Sequence, residues 1–298
     1  MNLKELSSPI RIYWDISAAK QPLVFDERQI ARDIAANRIL SLQLSESAPV
    51  LSQSCVNILD CLKDTSIAIS LVAPIEALDE RALGLLRDLQ VRALFVSMPS
   101  QEYVGAVADI AGQTRGKPAV GVSFSVSRAN FLTLPDMLKA CIDLKIDRFV
   151  VPMQRLTGNE ECFTPSIEEQ HELTMQLAGL DKPAGMKIII HDPFLWRSFY
   201  PAMQFPDGGC QAANTMLYIS PEGEVYPCPT LPFKLGNLSS TSLKNINNSN
   251  LKKELRKAII TSPALCLNCA ELNHCMGGCR GRAYKITRSL QQPDPACK

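Results

Sequence analysis

A repeating order of short apolar runs and longer helical segments, from residue 10 to about residue 196, most constrains the fold of this 298-residue chain. Apolar and β-branched residues fill each run almost without interruption, which is typical of parallel strands covered on both faces. We predict seven strands in this part: Arg11–Ile16, Ser41–Leu44, Ser66–Val72, Ala93–Ser97, Ala119–Phe124, Arg148–Val151 and Lys187–His191.

Six helical segments lie between the strands. They are predicted at Asp26–Ile39, Leu51–Leu62, Asp79–Leu89, Tyr103–Gln113, Leu134–Leu144 and Ser166–Leu180. Asp26 and Ser166 stand where a side-chain acceptor caps a helix. A repeated strand–helix unit of about 30 residues predicts a parallel sheet, either open or closed into a barrel. Functional loops are then expected at the carboxyl ends of the strands.

The predicted strand ends contain little recognisable chemistry. Neither phosphate-binding glycine pattern, GxGxxG or GxxxxGK[ST], occurs in the chain. Cys55, Cys61 and Cys141 lie in predicted helices, where buried cysteine acts as a small hydrophobe. Cys162 lies in a loop beside two glutamates, so that a structural role and a metal or redox role both stay open.

The histidines of this part form no catalytic set with a nucleophile and an acid. His171 lies on a polar helix face, and we expect it to be solvated. His191 ends the last predicted strand, and we expect it to make a structural hydrogen bond.

Charge and hydropathy exclude two classes of partner. The 31 basic and 30 acidic residues give a net charge of +1, unlike the strong basicity of nucleic-acid-coating proteins. No apolar run reaches the roughly 18 residues that span a bilayer. The first six residues contain no apolar signal segment, so we expect a cytoplasmic protein without a membrane or nucleic-acid partner.

Cysteine is concentrated at the carboxyl end: seven of the eleven residues lie in the last 89. A segment predicted as a linker or packed turn, Phe194–Pro206, separates this part from the strand–helix repeat. The β-formers at 215–219 and 224–226 flank a Ser-Pro-Glu-Gly turn and predict a β-hairpin. Cys210 and Cys228 would lie at its open end.

The other five cysteines have a spacing typical of metal ligands. They form the pattern Cys266-x2-Cys269-x5-Cys275-x3-Cys279, followed by Cys297. Clustered thiols in a reducing compartment bind metal more often than they form disulfides. Residues 251–298 also carry nine basic and three acidic residues. Basic side chains that could offset cluster charge are Arg280, Arg282, Lys285, Arg288, Lys252 and Lys253.

Two metals remain possible from count and charge. Cys266, Cys269, Cys275 and Cys279 would satisfy one structural zinc, and His274 could help to assemble a second site. Seven cysteines also nearly fill two cubane iron–sulfur clusters, whose net negative charge suits the basic surroundings. Spacing and charge favour iron–sulfur without deciding the matter.

The pattern Cys210-x12-Gly223-x4-Cys228, the Leu-Gly-Asn-Leu at 235–238 and the Cys-Met-Gly-Gly-Cys-Arg at 275–280 resemble the SPASM domain. This domain is the auxiliary-cluster extension of radical-SAM peptide and sulfatase maturases, and the resemblance covers about residues 207–298. It implies two [4Fe-4S] clusters with interleaved ligands. The first would be held by Cys210, Cys228 and Cys279 with an unknown fourth ligand, the second by Cys266, Cys269, Cys275 and Cys297.

The strand–helix repeat is similar to the partial (β/α)6 barrel of radical-SAM enzymes. Its first strand should be followed by Cys-x3-Cys-x2-Cys, but no cysteine precedes Cys55. The Gly-Gly-Glu expected after the second strand is replaced by the Ser-Glu-Ser at 45–47. We therefore expect an α/β chain: a degenerate barrel over residues 1–205 that binds no S-adenosylmethionine, then a small cysteine-rich α+β domain with a β-hairpin over residues 206–298.

A SPASM protein whose barrel lacks the cluster motif resembles the companion subunit of the GeoRSP system. The resemblance implies a non-catalytic iron–sulfur accessory protein that acts with a complete radical SAM/SPASM maturase, and possibly a precursor peptide, in electron relay or substrate positioning. A zinc-stabilised peptide-binding adaptor without a redox role is the alternative. A third hypothesis is an enzyme that uses the three-cysteine cluster as an open Lewis-acid or S-adenosylmethionine site.

Overall fold

Ten strands form one sheet in the computed structural model, which describes residues 6, 8–16, 26–98 and 100–297. The strands are β1 (Arg11–Asp15), β2 (Ser41–Ser45), β3 (Ala68–Pro74), β4 (Ala93–Ser97), β5 (Ala119–Ser123), β6 (Arg148–Val151), β7 (Lys187–Ile190), β8 (Met216–Ile219), β9 (Glu224–Tyr226) and β10 (Gly236–Asn237). The seven predicted strands and the predicted hairpin are therefore confirmed.

Eleven α-helices are present in the described residues. They are α1 (Glu27–Ala36), α2 (Gln53–Leu62), α3 (Glu80–Asp88), α4 (Val104–Thr114), α5 (Leu134–Asp143), α6 (Ile167–Ala178), α7 (Pro193–Phe199), α8 (Leu243–Asn248), α9 (Asn250–Ile260), α10 (Leu272–Cys275) and α11 (Arg280–Thr287). The six predicted helices correspond to α1–α6. Their predicted caps are also present: Asp26 accepts from the Arg28 amide, and Ser166 forms a capping box with Glu169.

The sheet follows chain order from β1 to β7, and every pair within this part is parallel. Strand β8 lies on the other side of β1, also parallel to it, and β9 and β10 continue outward in antiparallel pairs. The fold is thus an α/β fold in which the hairpin of the cysteine-rich part extends the sheet of the strand–helix repeat.

Apolar burial explains why the helices cover the sheet. In α2, Cys55, Ile58, Leu59 and Leu62 lie on one face and are buried in the common core. Cys55 and Cys141 are fully buried, and burial raises the pKa of each thiol to about 12. The prediction that both act as small hydrophobes is confirmed.

The segment predicted as a linker or packed turn, Phe194–Pro206, is partly helical, because its first six residues belong to α7, whereas residues 200–206 form turns and irregular structure. The side chain of Asp192 accepts from the amides of Phe194 and Leu195, and Pro193 occupies the first turn. An acidic cap followed by proline is a helix start signal, and here it outweighs the aromatic and proline content.

The loop after β1, where the sequence contains no cysteine, falls within residues 17–25 and lies outside the described residues, as do the first five residues. Among the helices that the structure describes, none has the length and apolar character needed to cross a membrane.

Gly121 in β5 lies so close to β6 that its substitution tests the packing of the sheet. A Cβ at Gly121 would lie 2.5 Å from the Cβ of Arg148 and 2.6 Å from its carbonyl oxygen. Gly121→Ala should lower the free energy of unfolding by about 1–3 kcal/mol, because backbone at the start of β6 must shift. The matched variant Gly84→Ala, in α3 with nothing within 4 Å, should raise it by about 0.5–1 kcal/mol. Urea unfolding measures both, and equal effects would refute the packing argument.

Candidate metal centre

Three cysteines come together between the segments that flank the β8–β9 hairpin and the start of α11. Cys210 precedes β8 and Cys228 follows β9, and the Ala213 amide donates to the Pro227 carbonyl at 2.9 Å between these two segments. Cys279 caps α11, with its sulfur accepting from the Arg282 amide at 3.5 Å. The thiols of Cys210 and Cys228 interact electrostatically with each other, and both interact with Cys279.

Burial makes two of these thiols, Cys228 and Cys279, hard to ionise without a bound cation. It raises the pKa of Cys228 to about 12, with a further contribution from Cys210. It also raises the pKa of Cys279 well above its ordinary value. A coordinated metal reverses this, since it binds the thiolate form. The group therefore has the character of a ligand set rather than of a free nucleophile.

The other four cysteines form a second group. Cys266 interacts electrostatically with Cys269, Cys275 with Cys297, and Cys297 with both Cys266 and Cys269. Burial raises the pKa of Cys275 to about 11. Cys269 and Cys297 are exposed, so this group lies nearer to the protein surface than the first. All eleven cysteines of the chain are free thiols.

A cavity of about 300 Å³ lies against the first group. Cys210, Cys228 and Cys279 line it, together with Cys275 of the second group. Its other walls come from the carboxyl ends of β6 and β7 and from α7. The cavity gives the three thiols room for a group larger than one ion, so the residues present fit an iron–sulfur cluster.

Glycines let the backbone approach this region closely. Gly277 and Gly278 have φ values of +95° and +72°. A Cβ at Gly278 would lie 2.5 Å from the Cβ of Asp294, and one at Gly209 would lie 2.7 Å from the Cβ of Met276. The loop from Cys275 to Cys279 therefore packs too tightly for side chains at these positions.

Asp294 joins the end of the chain to α11. Its carboxylate is fully buried and accepts from the Cys279 amide at 2.7 Å and from the Arg282 guanidinium in two bonds of 2.7 Å. Arg282, itself 1% exposed, also contacts Asp192, the cap of α7. This buried network positions Cys279. Sequence reasoning missed it, although Asp294 is one of only three acidic residues after residue 250.

The basic side chains near the cysteines differ in burial. Arg280, Arg282 and Lys252 are buried, as is Arg256, which donates to the Cys210 and Ala212 carbonyls. Lys253 and Arg288 are exposed. Lys285 donates to the carbonyls of residues 156 and 158. Of the predicted basic side chains, only the buried ones, Arg280, Arg282 and Lys252, therefore have charges that water screens weakly.

His274 contacts an aspartate rather than a cysteine group. The Nδ1 of His274 lies 2.7 Å from Asp207 Oδ1, and both residues line the cavity. Within the described part of the chain, no three or more His, Cys, Asp or Glu side chains are grouped so that one metal ion could be held.

A second cavity, of about 690 Å³, lies at the carboxyl ends of the parallel strands. Arg155 donates to both carboxylate oxygens of Asp15, at 2.9 and 3.0 Å, and to Ser45 at 3.1 Å. The Tyr218 hydroxyl also donates to Asp15, at 3.0 Å. An internal ion pair thus occupies the ends of β1 and β2.

Glu46 follows β2, and its carboxylate serves the local loop. It accepts from the amides of Ser47, Ala48 and Ser52 at 2.9–3.1 Å and from the Ser52 hydroxyl at 2.5 Å. Ser52 in turn caps α2. The Glu46 side chain is therefore turned into its own loop rather than into the large cavity.

The remaining predicted residues take structural positions. His191 lies 3.3 Å from the Tyr13 hydroxyl, as expected, and burial lowers the pKa of this imidazole to about 4. His171 is exposed, as predicted. Cys162 is half-buried, and the charged groups that act on it are Arg282, Asp294 and Asp192 rather than other cysteines.

The buried network predicts a large stability difference between two aspartates. Asp294→Ala leaves the Arg282 guanidinium without its bidentate partner and should lower the free energy of unfolding by about 3–5 kcal/mol. Asp143→Ala removes only an exposed pair with Lys139 and should cost less than about 1 kcal/mol. Denaturant unfolding of the two variants compares them directly. Similar small losses would contradict the structural role of Asp294.

Comparison with known proteins adds a match to one domain and a fold. Residues 210–270 match the family model of SPASM, an iron-sulfur cluster-binding domain. The structure is similar to that of Streptococcus suis SuiB bound to the precursor peptide SuiA, with a TM-score of 0.72 and 16% identity over 99% of this chain and 77% of that one. SuiB bound to S-adenosylmethionine gives a TM-score of 0.70 at 16% identity, covering 99% and 78%.

The structure of native anSMEcpe with bound AdoMet is also similar, with a TM-score of 0.65 and 14% identity over 96% of this chain and 94% of that chain. At these identities the likeness establishes the fold alone. The chain has the α/β fold of the radical SAM enzymes with a carboxyl-terminal SPASM domain, the iron–sulfur cluster-binding domain that its residues 210–270 match.

Proposed function

We propose that this protein is a non-catalytic iron–sulfur accessory protein that binds two auxiliary [4Fe-4S] clusters. Residues 206–298 form the cluster-binding part and residues 1–205 a barrel without a cluster of its own. Cys210, Cys228 and Cys279 hold the first cluster and Cys266, Cys269, Cys275 and Cys297 the second. Bound clusters supply one-electron redox chemistry. The protein acts in a reducing, cytoplasmic compartment.

One observation carries the proposal: the seven thiols fall into two electrostatically linked groups of three and four, and the deeper group lines a cavity. The SPASM match supports iron–sulfur chemistry for residues 210–270, which contain four of the seven thiols. No cysteine of the strand–helix repeat contributes to either group.

The cavity that Cys210, Cys228 and Cys279 line favours a cluster over zinc. Four thiolates around one zinc, with Zn–S near 2.3 Å and tetrahedral angles, lie about 3.8 Å from each other. No described group of side chains is arranged to hold one ion. In a cubane each thiolate binds a different iron, which suits ligands that surround a cavity more loosely. The zinc-stabilised peptide-binding adaptor is therefore the second candidate.

The barrel argues for an accessory role. The chain has no cysteine before Cys55, and Cys55 is buried in α2 with its pKa raised. Near the strand ends, Asp15 is paired with Arg155, and the Glu46 carboxylate accepts hydrogen bonds from its own loop. These contacts support a barrel that does not bind S-adenosylmethionine, although the similar enzymes SuiB and anSMEcpe do.

We propose a complete radical SAM/SPASM maturase as the partner. Its substrate would be a precursor peptide, since the similar SuiB has been captured with the precursor peptide SuiA. The accessory chain would relay electrons or position the peptide. Both roles require that the cluster-binding part reach the partner, and Cys269 and Cys297 of the second group are exposed at the surface of this protein.

Metal analysis of the anaerobically purified chain tests the cofactor. We expect about seven to eight iron atoms per chain with matching acid-labile sulfide. Cys228→Ala should lose about half of the iron by emptying the first site, and Cys275→Ala should lose the other half. Cys141→Ala, at a buried helical thiol outside both groups, should retain all of it. Zinc without sulfide would favour the adaptor instead.

Activity assays test whether the maturase, and not this chain, cleaves S-adenosylmethionine. Incubated alone with S-adenosylmethionine and dithionite, the chain should form no 5′-deoxyadenosine above the background without protein. Added to a tagged candidate maturase encoded with it, the chain should co-purify and increase modification of the precursor peptide. Cleavage by the isolated chain, lost in Cys279→Ala, would support the open-cluster enzyme and reject the accessory role.

A further inference from the structure

Arg280 occupies an unusual position between the two cysteine groups. It is the first residue of α11, directly follows Cys279, and its side chain is completely buried. The thiols with which its guanidinium interacts electrostatically are Cys210, Cys266 and Cys279. These include members of both groups, so one cation lies close to ligands of both proposed clusters.

Only some of the hydrogen-bond donors of this guanidinium have acceptors in the described residues. Its Nη1 donates to the Gln292 carbonyl at 3.2 Å and its Nη2 to the Thr261 carbonyl at 3.4 Å. The Nε–H is buried and has no acceptor among the described residues. A buried donor without an acceptor is costly, and native proteins rarely retain one unless a bound group completes it.

The backbone confines the guanidinium to this place. A Cβ at Gly277 would lie 2.6 Å from Nη1 and 2.8 Å from Pro263 Cδ. Gly277, between Cys275 and Cys279, therefore leaves space that the Arg280 side chain fills. The orphan donor is held by packing and is not free to turn towards solvent.

Arg280 also differs from Arg282, the other buried arginine of α11. Arg282 is matched by the carboxylates of Asp192 and Asp294. Arg280 makes no ion pair with a carboxylate at salt-bridge distance in the described residues, and its two hydrogen bonds go to neutral carbonyls. The Asp294 carboxylate acts on its positive charge without forming an ion pair, and the other groups that act on it are the thiols of Cys210, Cys266 and Cys279.

We propose that Arg280 is a positioning residue for both clusters: its Nε–H donates to a sulfur of a bound cluster, and its charge stabilises the reduced state of each. The inference rests on the proposed function. One-electron reduction of a cluster adds one negative charge, so a buried cation beside it raises the reduction potential.

The test compares three variants of the full-length, anaerobically loaded chain. Arg280→Gln removes the charge, Arg280→Lys keeps it, and Arg288→Gln removes an exposed charge from the end of the same helix. Iron and sulfide content and EPR-monitored redox titration are measured for each. These readouts do not depend on an enzymatic assay.

In Arg280→Gln we expect the reduction equilibrium of both clusters to become at least tenfold less favourable, a shift of about 59 mV for one electron. Arg280→Lys should lie closer to wild type, and Arg288→Gln should match it because water and salt screen an exposed charge. If Arg280→Gln loads poorly, the Lys variant decides the question. A reduction potential near that of wild type supports the proposal, and one lowered by about 59 mV or more refutes it.

Other outcomes are equally decisive. Wild-type potentials in a fully loaded Arg280→Gln protein would overturn the role of Arg280 while leaving the proposed function intact. Equal shifts in Arg280→Gln and Arg288→Gln would reduce the effect to total charge and also overturn it. Wild-type protein without iron and sulfide would instead overturn the proposed function itself.

Discussion

The parallel pairing of β1 with β8 is the interaction on which the cysteine-rich part depends. Residues 11–14 of the first strand pair with residues 216–219, although some two hundred residues separate them in sequence. Cys210 precedes the hairpin that contains β8 and Cys228 follows it, so this ladder fixes both thiols relative to the strand–helix repeat. The sheet is therefore the scaffold for the metal centre as well as for the strand–helix repeat.

A second long-range connection fixes the other side of the same group. Asp294 links the last turn of the chain to Arg282 of α11 and to the amide of Cys279, while Asp192 connects Arg282 to the start of α7. The first group of thiols is thus anchored by a ladder on the hairpin side and by a buried ion network on the helix side. Because the strand ladder and the ion network both fix these cysteines, we expect the site to be formed before a metal or cluster binds.

Local signals account for what the sequence predicts well. The strands, α1–α6 and the hairpin follow from periodicity, caps and turn residues, all of which act over a few positions. The helix at Pro193–Phe199 had such a signal in its acidic cap and was still missed. The Asp15–Arg155 pair, 140 residues apart, and the Asp294 network follow only from tertiary packing, and no sequence pattern marks them. The spacing of the cysteines indicates metal binding but does not divide them into groups.

The electrostatics of the centre couple its stability to what it binds. Burial raises the pKa of Cys228, Cys275 and Cys279, so without a metal these thiols stay protonated, and the charge of Arg280 lies buried without thiolates to oppose it. Ligation converts each thiol to a thiolate, releases protons and supplies negative charge beside that guanidinium. The same event also offers the orphan Nε–H an acceptor. If the proposed ligands are correct, loading of the clusters should stabilise the hairpin, α11 and the segment around Cys297 together, because all three contribute cysteines to the two groups.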